Sequence, residues 1–172
     1  MSPPTNNHPA AGSPEQLWAD CQVRLLRRSG PGGQHRNKVQ TAVSLRHLPT
    51  GVCAEASERR SQAQNRSVAL FRLRVNLALK IRGPRVPDCA PSPLWQSRCS
   101  GGVLKVGVSH HDFPALLAEA LDVLAAMAAE PTPAAAFLGC TASQLVRLLK
   151  RDPRALVLVN RWRRERHLHI LQ

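Results

Sequence analysis

Apolar and polar residues alternate in three short stretches near the start of the chain, and the pattern then switches to a helical period. Val23 and Leu25 alternate with Gln22, Arg24 and Arg27, which predicts a short strand over Asp20 to Arg27. Val39, Thr41, Val43 and Leu45 alternate with Ala42, Ser44 and Arg46. Val52 to Ser57 alternates again beyond Pro49-Thr50-Gly51, so this region predicts a β-hairpin with a Gly-containing turn. Ser57 or Ser61 can cap a helix running to about Ile81, because a hydroxyl there accepts from an otherwise unpaired first-turn amide. Gly83-Pro84 ends that helix. It carries two apolar stripes: Leu70, Leu73, Leu77 and Ile81 on one side, and Val68, Phe71, Val75 and Leu79 nearly opposite. One stripe can cover the sheet. The other requires a second partner, for which the apolar C-terminal half is the candidate and a dimer interface the alternative.

Prolines and serines crowd the stretch from Gly83 to Gly102, which reads as a linker ending near an extended piece, Val103 to Val108. Beyond it the pattern is helical. Asp112 can cap a helix with Pro114 in its first turn and Leu117, Leu121 and Leu124 on one face, which Leu116, Val123 and Met127 broaden; Pro131 stops it. Thr132-Pro133 can start the next helix, Gly139 can end that one in a left-handed turn, Thr141 can cap a third, and Asp152-Pro153 can open a fourth through Trp162. The predicted fold is therefore α+β: a disordered tail over 1–14, a small β-sheet with one packed helix and an extended Gly-rich loop over 15–82, a Pro/Ser-rich linker with a short extended segment over 83–109, and an all-helical C-terminal module over 110–172. Ala135, Leu138, Gly139, Leu145 and Leu148 give that module a helix-turn-helix-like hairpin.

Composition narrows the partners. The 172 residues carry a net charge of +13, with 13 basic against 4 acidic residues through Gly83 and 11 against 7 after it. The first half is the polyanion binder, and its attraction to phosphate should depend on salt. Aromatic side chains make up only 3% and Tyr is absent, which disfavours binding single-stranded bases by a row of stacking side chains. No apolar run approaches the roughly 20 residues of a membrane span, so no membrane is expected and the chain should be soluble. The N-terminal stretch lacks Lys, Arg and an apolar core, which argues against signal and transit peptides. Cysteines at 21, 53, 89, 99 and 140 form no C-x-x-C pair and are odd in number, which disfavours a disulfide framework and fits a reducing, cytoplasmic setting.

The most distinctive stretch is Ser29-Gly30-Pro31-Gly32-Gly33-Gln34-His35-Arg36-Asn37, a backbone-permissive loop carrying one amide side chain and a basic flank. Its glycines do not complete G-x-G-x-x-G, because position 35 is His, and no G-K-[ST] follows, so nucleotide binding is disfavoured. The spacings of Cys89, Cys99, His110 and His111 match no familiar zinc module, and no G-x-S-x-G elbow exposes a serine nucleophile. Direct DNA reading by the helix-turn-helix-like stretch is disfavoured by the lack of a basic-rich recognition helix beyond Gln144 and Arg147.

The Gly/Pro loop, the following Asn37-Lys38, then Ala42-Val43, His47-Leu48-Pro49-Thr50-Gly51, and finally Arg60-Ser61-Gln62 with Asn65-Arg66, resemble in order and spacing the catalytic domain of class I peptide chain release factors over roughly Gln22 to Ile81. The resemblance implies ribosome-dependent hydrolysis of the ester joining a nascent peptide to tRNA, with ribosomal RNA and peptidyl-tRNA as partners and no cofactor or metal. By the same resemblance Gly32 and Gly33 let the loop thread into a crowded site. Gln34 offers its backbone N–H to the developing negative charge while its side-chain amide shapes the water site. Arg27, Arg28, Arg36, Lys38, Arg59, Arg60 and Arg66 are the candidate phosphate contacts around the loop, and Arg161, Arg163 and Arg164 those of the basic C-terminal end. Ser29, Gly30, Pro31, Asn37, Gln62 and Asn65 are candidates for supporting the loop. Arg36 departs from the family, whose members carry a small apolar residue there. Full-length members are about twice as long and carry a separate codon-reading domain, for which no room is expected before Gln22. Rescue of stalled ribosomes without a stop codon is therefore the leading expectation. A noncatalytic RNA- or ribosome-binding protein that keeps the loop is the rival, and a DNA-binding regulator the third reading.

Overall fold

The computed structural model describes residues 8–27, 41–83 and 90–172. Strands β1 (Cys21–Leu26), β2 (Ala42–His47) and β3 (Cys53–Ala56) form an antiparallel sheet in the order β1-β2-β3. The register sets Val23 opposite Leu45 and Leu26 opposite Ala42, so the chain leaves β1 and re-enters β2 at facing positions of one ladder. The β2–β3 turn shows why its residues suit it. Gly51 sits at φ +70°, where a side chain would be strained, and the buried His47 places Nδ1 2.8 Å from Thr50 Oγ1. Burial lowers the pKa of His47, opposed by the nearby Asp20 carboxylate.

Helix α2 (Gln62–Lys80) starts at Ser61, whose hydroxyl accepts from the Gln64 amide, and ends at Ile81. It packs on β2 and β3 with one side and on α4 (Phe113–Ala126) with another. Both predicted stripes are thus covered. Leu70, Leu73, Val75 and Leu77 are buried, and Val68, Phe71, Leu79 and Ile81 half-buried, against one continuous core. The C-terminal half is the second partner the stripes require. Helix α4 is buried nearly all round, including Glu119 and Asp122. Helices α5 (Pro131–Leu138), α6 (Ala142–Lys150) and α7 (Pro153–Glu165) complete the module. Gly139 closes α5 at φ +66°, Thr141 Oγ1 caps α6, and Asp152 caps α7, each as its residue type predicts.

Four details differ from the sequence expectations. The end of the expected tail is structured: Pro9–Ala11 form a 3₁₀ turn, and Pro14–Ala19 form helix α1, with Ser13 and Gln16 in a reciprocal capping box and Pro14 at its first position. Residues 1–7 lie outside the described residues. Much of the expected linker is packed structure. Ser92 caps a short helix, α3 (Pro93–Arg98), that leads into a ribbon of β4 (Cys99–Ser100) and β5 (Val103–Leu104). Its anchor is Trp95, fully buried, whose indole N–H donates to the Leu138 carbonyl at 2.8 Å. Helix α4 ends at Ala126, and Pro131 opens α5 instead of stopping α4, since a proline at the first helical position gives up an amide that would be unpaired anyway. Asp112 precedes α4 without bonding its amides, because its carboxylate is held by Arg98 at 2.7 Å and His111 at 3.0 Å.

His8 fastens the N-terminal segment to this frame. Its Nδ1 accepts from the Ala10 amide at 3.0 Å, so Nε2 carries the hydrogen and donates to the Ile81 carbonyl at 3.0 Å. Only the neutral ring satisfies both bonds. Burial, reinforced by Arg82, lowers its pKa below the ordinary 6.5, against the raising effect of the Ile81 carbonyl. A folded-state pKa below the unfolded one gives stability that is complete above pH 6.5 and is lost as pH falls through the folded value. Denaturant midpoints of the wild type should therefore decline below pH 6.5, and His8→Gln should flatten that decline. Parallel pH profiles in wild type and variant would refute this role for His8.

Candidate functional site

The Gly-rich loop is approached through Arg27, the exposed residue after β1, and left at Thr41, just before β2. Residues 28–40 lie outside the described residues. They include Gly32, Gly33 and Gln34, the cations Arg28, Arg36 and Lys38, and the supporting candidates Ser29, Gly30, Pro31 and Asn37. The frame on which the loop is mounted is fully described.

Asn65 organises that frame. It is completely buried in the first turn of α2, and its amide makes three bonds: Nδ2 donates to the Thr41 carbonyl at 2.7 Å and to the Arg59 carbonyl at 2.8 Å, while Oδ1 accepts from the Arg59 amide at 2.9 Å. One side chain thereby ties the returning end of the loop to the turn that starts the helix. An amide, with two donors and an acceptor in one plane, suits the task better than a carboxylate or a hydroxyl. Gln62, the other candidate support in the helix, is half-buried at its first position.

Arg59 and Arg60 are exposed in the turn before α2. Arg66, also exposed, lies over the indole of Trp18 with its guanidinium carbon 4.9 Å from the ring centroid. Arg72, Arg74 and Arg82, by contrast, serve the fold. Arg72 pairs with Glu58 at 2.5 Å; Arg74 donates to the carbonyls of Ala10 and His111; Arg82 pairs with Asp122 at 3.1 Å and also bonds Ala78. At the C-terminal end Arg161 and Arg164 are exposed, with Arg161 3.8 Å from Glu165. Arg163 is different: its guanidinium holds the carbonyls of Ala129 at 2.6 Å and His169 at 2.5 Å, which pins the chain end to the α4–α5 connection. As a phosphate contact it is already committed.

Trp18 was not among the expected site residues, nor was the helix that carries it. The signal was present in Ser13-Pro14-Glu15-Gln16, a capping-box sequence with proline at the first helical position. Alongside Trp18 and Arg66 runs a groove of about 610 Å³, walled by Leu70, Phe71 and Arg74 and reaching His111. Among the described residues, His110, His111 and Asp112 hold potential ligand atoms within 4.8 Å of one another. Asp112 is already paired with Arg98 at 2.7 Å, so a cation there would meet a guanidinium. Cys99 takes no part in that cluster; its thiol donates to the Gly139 carbonyl. Cys89 lies outside the described residues. No described helix is long and apolar enough to cross a membrane.

Residues 17–85 match the family model described as the RF-1 domain. The chain is 48% identical over 59 residues to peptide chain release factor 1 of Xylella fastidiosa (strain 9a5c), a match covering 34% of this chain and 16% of that protein. It is 48% identical over 59 residues to peptide chain release factor 1 of Acidiphilium cryptum (strain JF-5), covering 34% and 17%. To peptide chain release factor 1 of Delftia acidovorans (strain DSM 14801 / SPH-1) it is 46% identical over 67 residues, covering 39% and 19%. The chain therefore matches less than a fifth of the length of these curated relatives. The matched region contains β1 to β3, α2 and the loop between β1 and β2.

Asn65→Ala should leave the carbonyls of Thr41 and Arg59 and the Arg59 amide without their partner, at about 2–4 kcal/mol. The expected readings are a lower denaturant midpoint and faster hydrogen exchange at the Arg59 amide. An unchanged exchange rate would show that the bond does not hold this turn.

Proposed function

We propose that the chain, which matches the RF-1 domain over residues 17–85, is a ribosome-dependent peptidyl-tRNA hydrolase related to the class I peptide chain release factors. The single observation that carries this reading is the coincidence of sequence and frame. The Gly32-Gly33-Gln34 tripeptide lies between two strands joined in register at Leu26 and Ala42, and Asn65 fixes the end of its loop.

In this reading water attacks the ester carbonyl, negative charge gathers on the tetrahedral oxygen, and the tRNA 3′ oxygen departs with a proton. Catalysis requires an oriented water and a donor placed where the charge develops, so positioning does the work that an acid/base triad does elsewhere. Gly32 and Gly33 keep the loop narrow, and Gln34 supplies the amide N–H to the oxyanion and its side chain to the water. Arg27, Arg59, Arg60 and Arg66, exposed beside the two ends of the loop, would contact ribosomal RNA phosphates and set the loop's approach without reading sequence. Arg28, Arg36 and Lys38 would add to this field, and Arg161 and Arg164 would extend it across the helical module. We further infer that release is independent of a stop codon and takes place on stalled ribosomes in the cytoplasm. Two facts support this: the family model matches residues 17–85, and the described residues beyond them form a helical module packed on α2.

The test is release of labelled peptide from purified ribosomes stalled on mRNA lacking a stop codon. Gly33→Ala should bind ribosomes as the wild type does and release peptide about 10²–10³ times more slowly. Equal release by both proteins would sink the catalytic assignment of the loop. Binding by both with release by neither would favour a binder that has kept the loop without its activity.

A further inference from the structure

We propose that the groove between α1 and the first half of α2 binds one unpaired nucleotide of an RNA strand, with its base against the Trp18–Arg66 pair and Phe71 and its phosphate on Arg66. Three features of the groove select this occupant. It is an open groove of about 610 Å³, room for one group of nucleotide size with a side left to solvent. Its walls combine flat and apolar surfaces, Trp18, Leu70 and Phe71, with the cations Arg66 and Arg74, and no carboxylate among the described residues lines it. The exposed Arg66 guanidinium carbon lies 4.9 Å from the Trp18 ring centroid, so the pair sets a flat aromatic surface beside a cation able to bond a phosphate.

Charge complementarity points the same way, since the chain carries a net charge of +13 and the turn leading into this helix exposes Arg59 and Arg60. Arg74 has a different part. Its Nε donates to Ala10 at 3.0 Å and its Nη1 to His111 at 2.7 Å, so it is a fixed wall of the groove that adds positive field without having to move. An unpaired base is required because only an unstacked base presents a free face to such a groove; bases in a duplex are covered on both sides. The chain's few aromatic residues rule against a row of stacking platforms, whereas this site asks for one.

The groove also has a location that matters. Ala63 and Ser67, which line it, lie two positions either side of Asn65, on the opposite face of α2 from the side chain that holds the end of the Gly-rich loop at Thr41. A nucleotide seated here would therefore stand across α2 from the loop's base, on the same helix that holds it. The inference rests on the reading above only for the choice of RNA; the groove's preference for a single nucleotide comes from its own walls.

The experiment is equilibrium binding of the full chain to a fluorescein-labelled short single-stranded RNA, to a duplex of the same sequence, and to free AMP, with no ribosome present. Wild type should prefer the single strand over the duplex and bind AMP far more weakly than the RNA. Trp18→Leu, which keeps an apolar side chain in place, should weaken single-strand binding about tenfold. Arg66→Gln, a change at an exposed position, should lower the slope of log affinity against log salt by about 0.7. The thermal unfolding transition of each variant reports its fold, and Arg66→Gln carries the test if Trp18→Leu lacks that transition. The proposal is overturned if folded variants bind as wild type does, or if the duplex binds as well as the single strand. AMP binding as tightly as the RNA would overturn it too, by marking a free-nucleotide site. Peptide release plays no part in the assay, so loss of this proposal and loss of the hydrolase reading are separable.

Discussion

Helix α2 is apolar on two nearly opposite sides, and the remainder of the molecule is arranged around covering both. A three-stranded sheet can shield one side of a 19-residue helix and no more. The opposite side would face water at a cost of roughly 1.5–3 kcal/mol for each large apolar side chain, unless another layer meets it. Helix α4 is that layer, and its own burial brings two carboxylates into the interior. Buried carboxylates require partners, and these two find them at either end of one chain segment. Asp122 accepts from the Gly83 amide at 3.1 Å and pairs with Arg82, while Glu119 accepts from the Ser92 amide at 2.7 Å and its hydroxyl at 2.5 Å. The apolar requirement of α2 thus determines where the chain enters and leaves the connection between the two halves.

The same arrangement gives the Gly-rich loop, proposed above to be catalytic, a firm base. Contacts run from the helical module through α2 into the sheet by way of polar side chains as well as the core. Arg154 of α7 donates to Asn76 of α2 at 2.9 Å, and Asn76 donates to the Cys53 carbonyl of β3 at 2.9 Å. A site that works by placing a water and a donor to within a fraction of an ångström depends on such support more than on the acidity of any side chain. The helical module, far from hanging beside the first half, is part of the mount.

The sequence announced its regular elements wherever local chemistry and tertiary context agreed. The strands, α2 and the caps at Ser61, Thr141 and Asp152 all lie where periodicity and cap residues predicted. It was misleading between Gly83 and Gly102, where proline and serine content suggested a linker. Ser92-Pro93 there is the start of a helix, and Trp95 is buried through a long-range bond to Leu138 that no local pattern reveals. Asp112 shows the converse. Its residue type suits a cap, yet Arg98, 14 positions away, captures the carboxylate. For the site, the motif residues were legible and the groove beside Trp18 was not, because the groove exists only where α1, α2 and the start of α4 meet.

Charge alone gave little guidance about which arginines face a partner, and their hydrogen bonds supply what charge omits. A guanidinium has five donors in a fixed plane, so one that already holds two backbone carbonyls, as Arg74 and Arg163 do, has its orientation set by the fold. Substituting such a residue would disturb packing as well as field, and weakened RNA binding would then say nothing about contact. Arg59, Arg60 and Arg66 are exposed around the start of α2, and among the described residues Arg66 lies over the face of an indole. That contact places the guanidinium beside the ring without drawing on a backbone carbonyl. An arginine presented in this way has lost part of its conformational freedom before any partner arrives, which is the physical ground for proposing the first turns of α2 as an anion-binding surface.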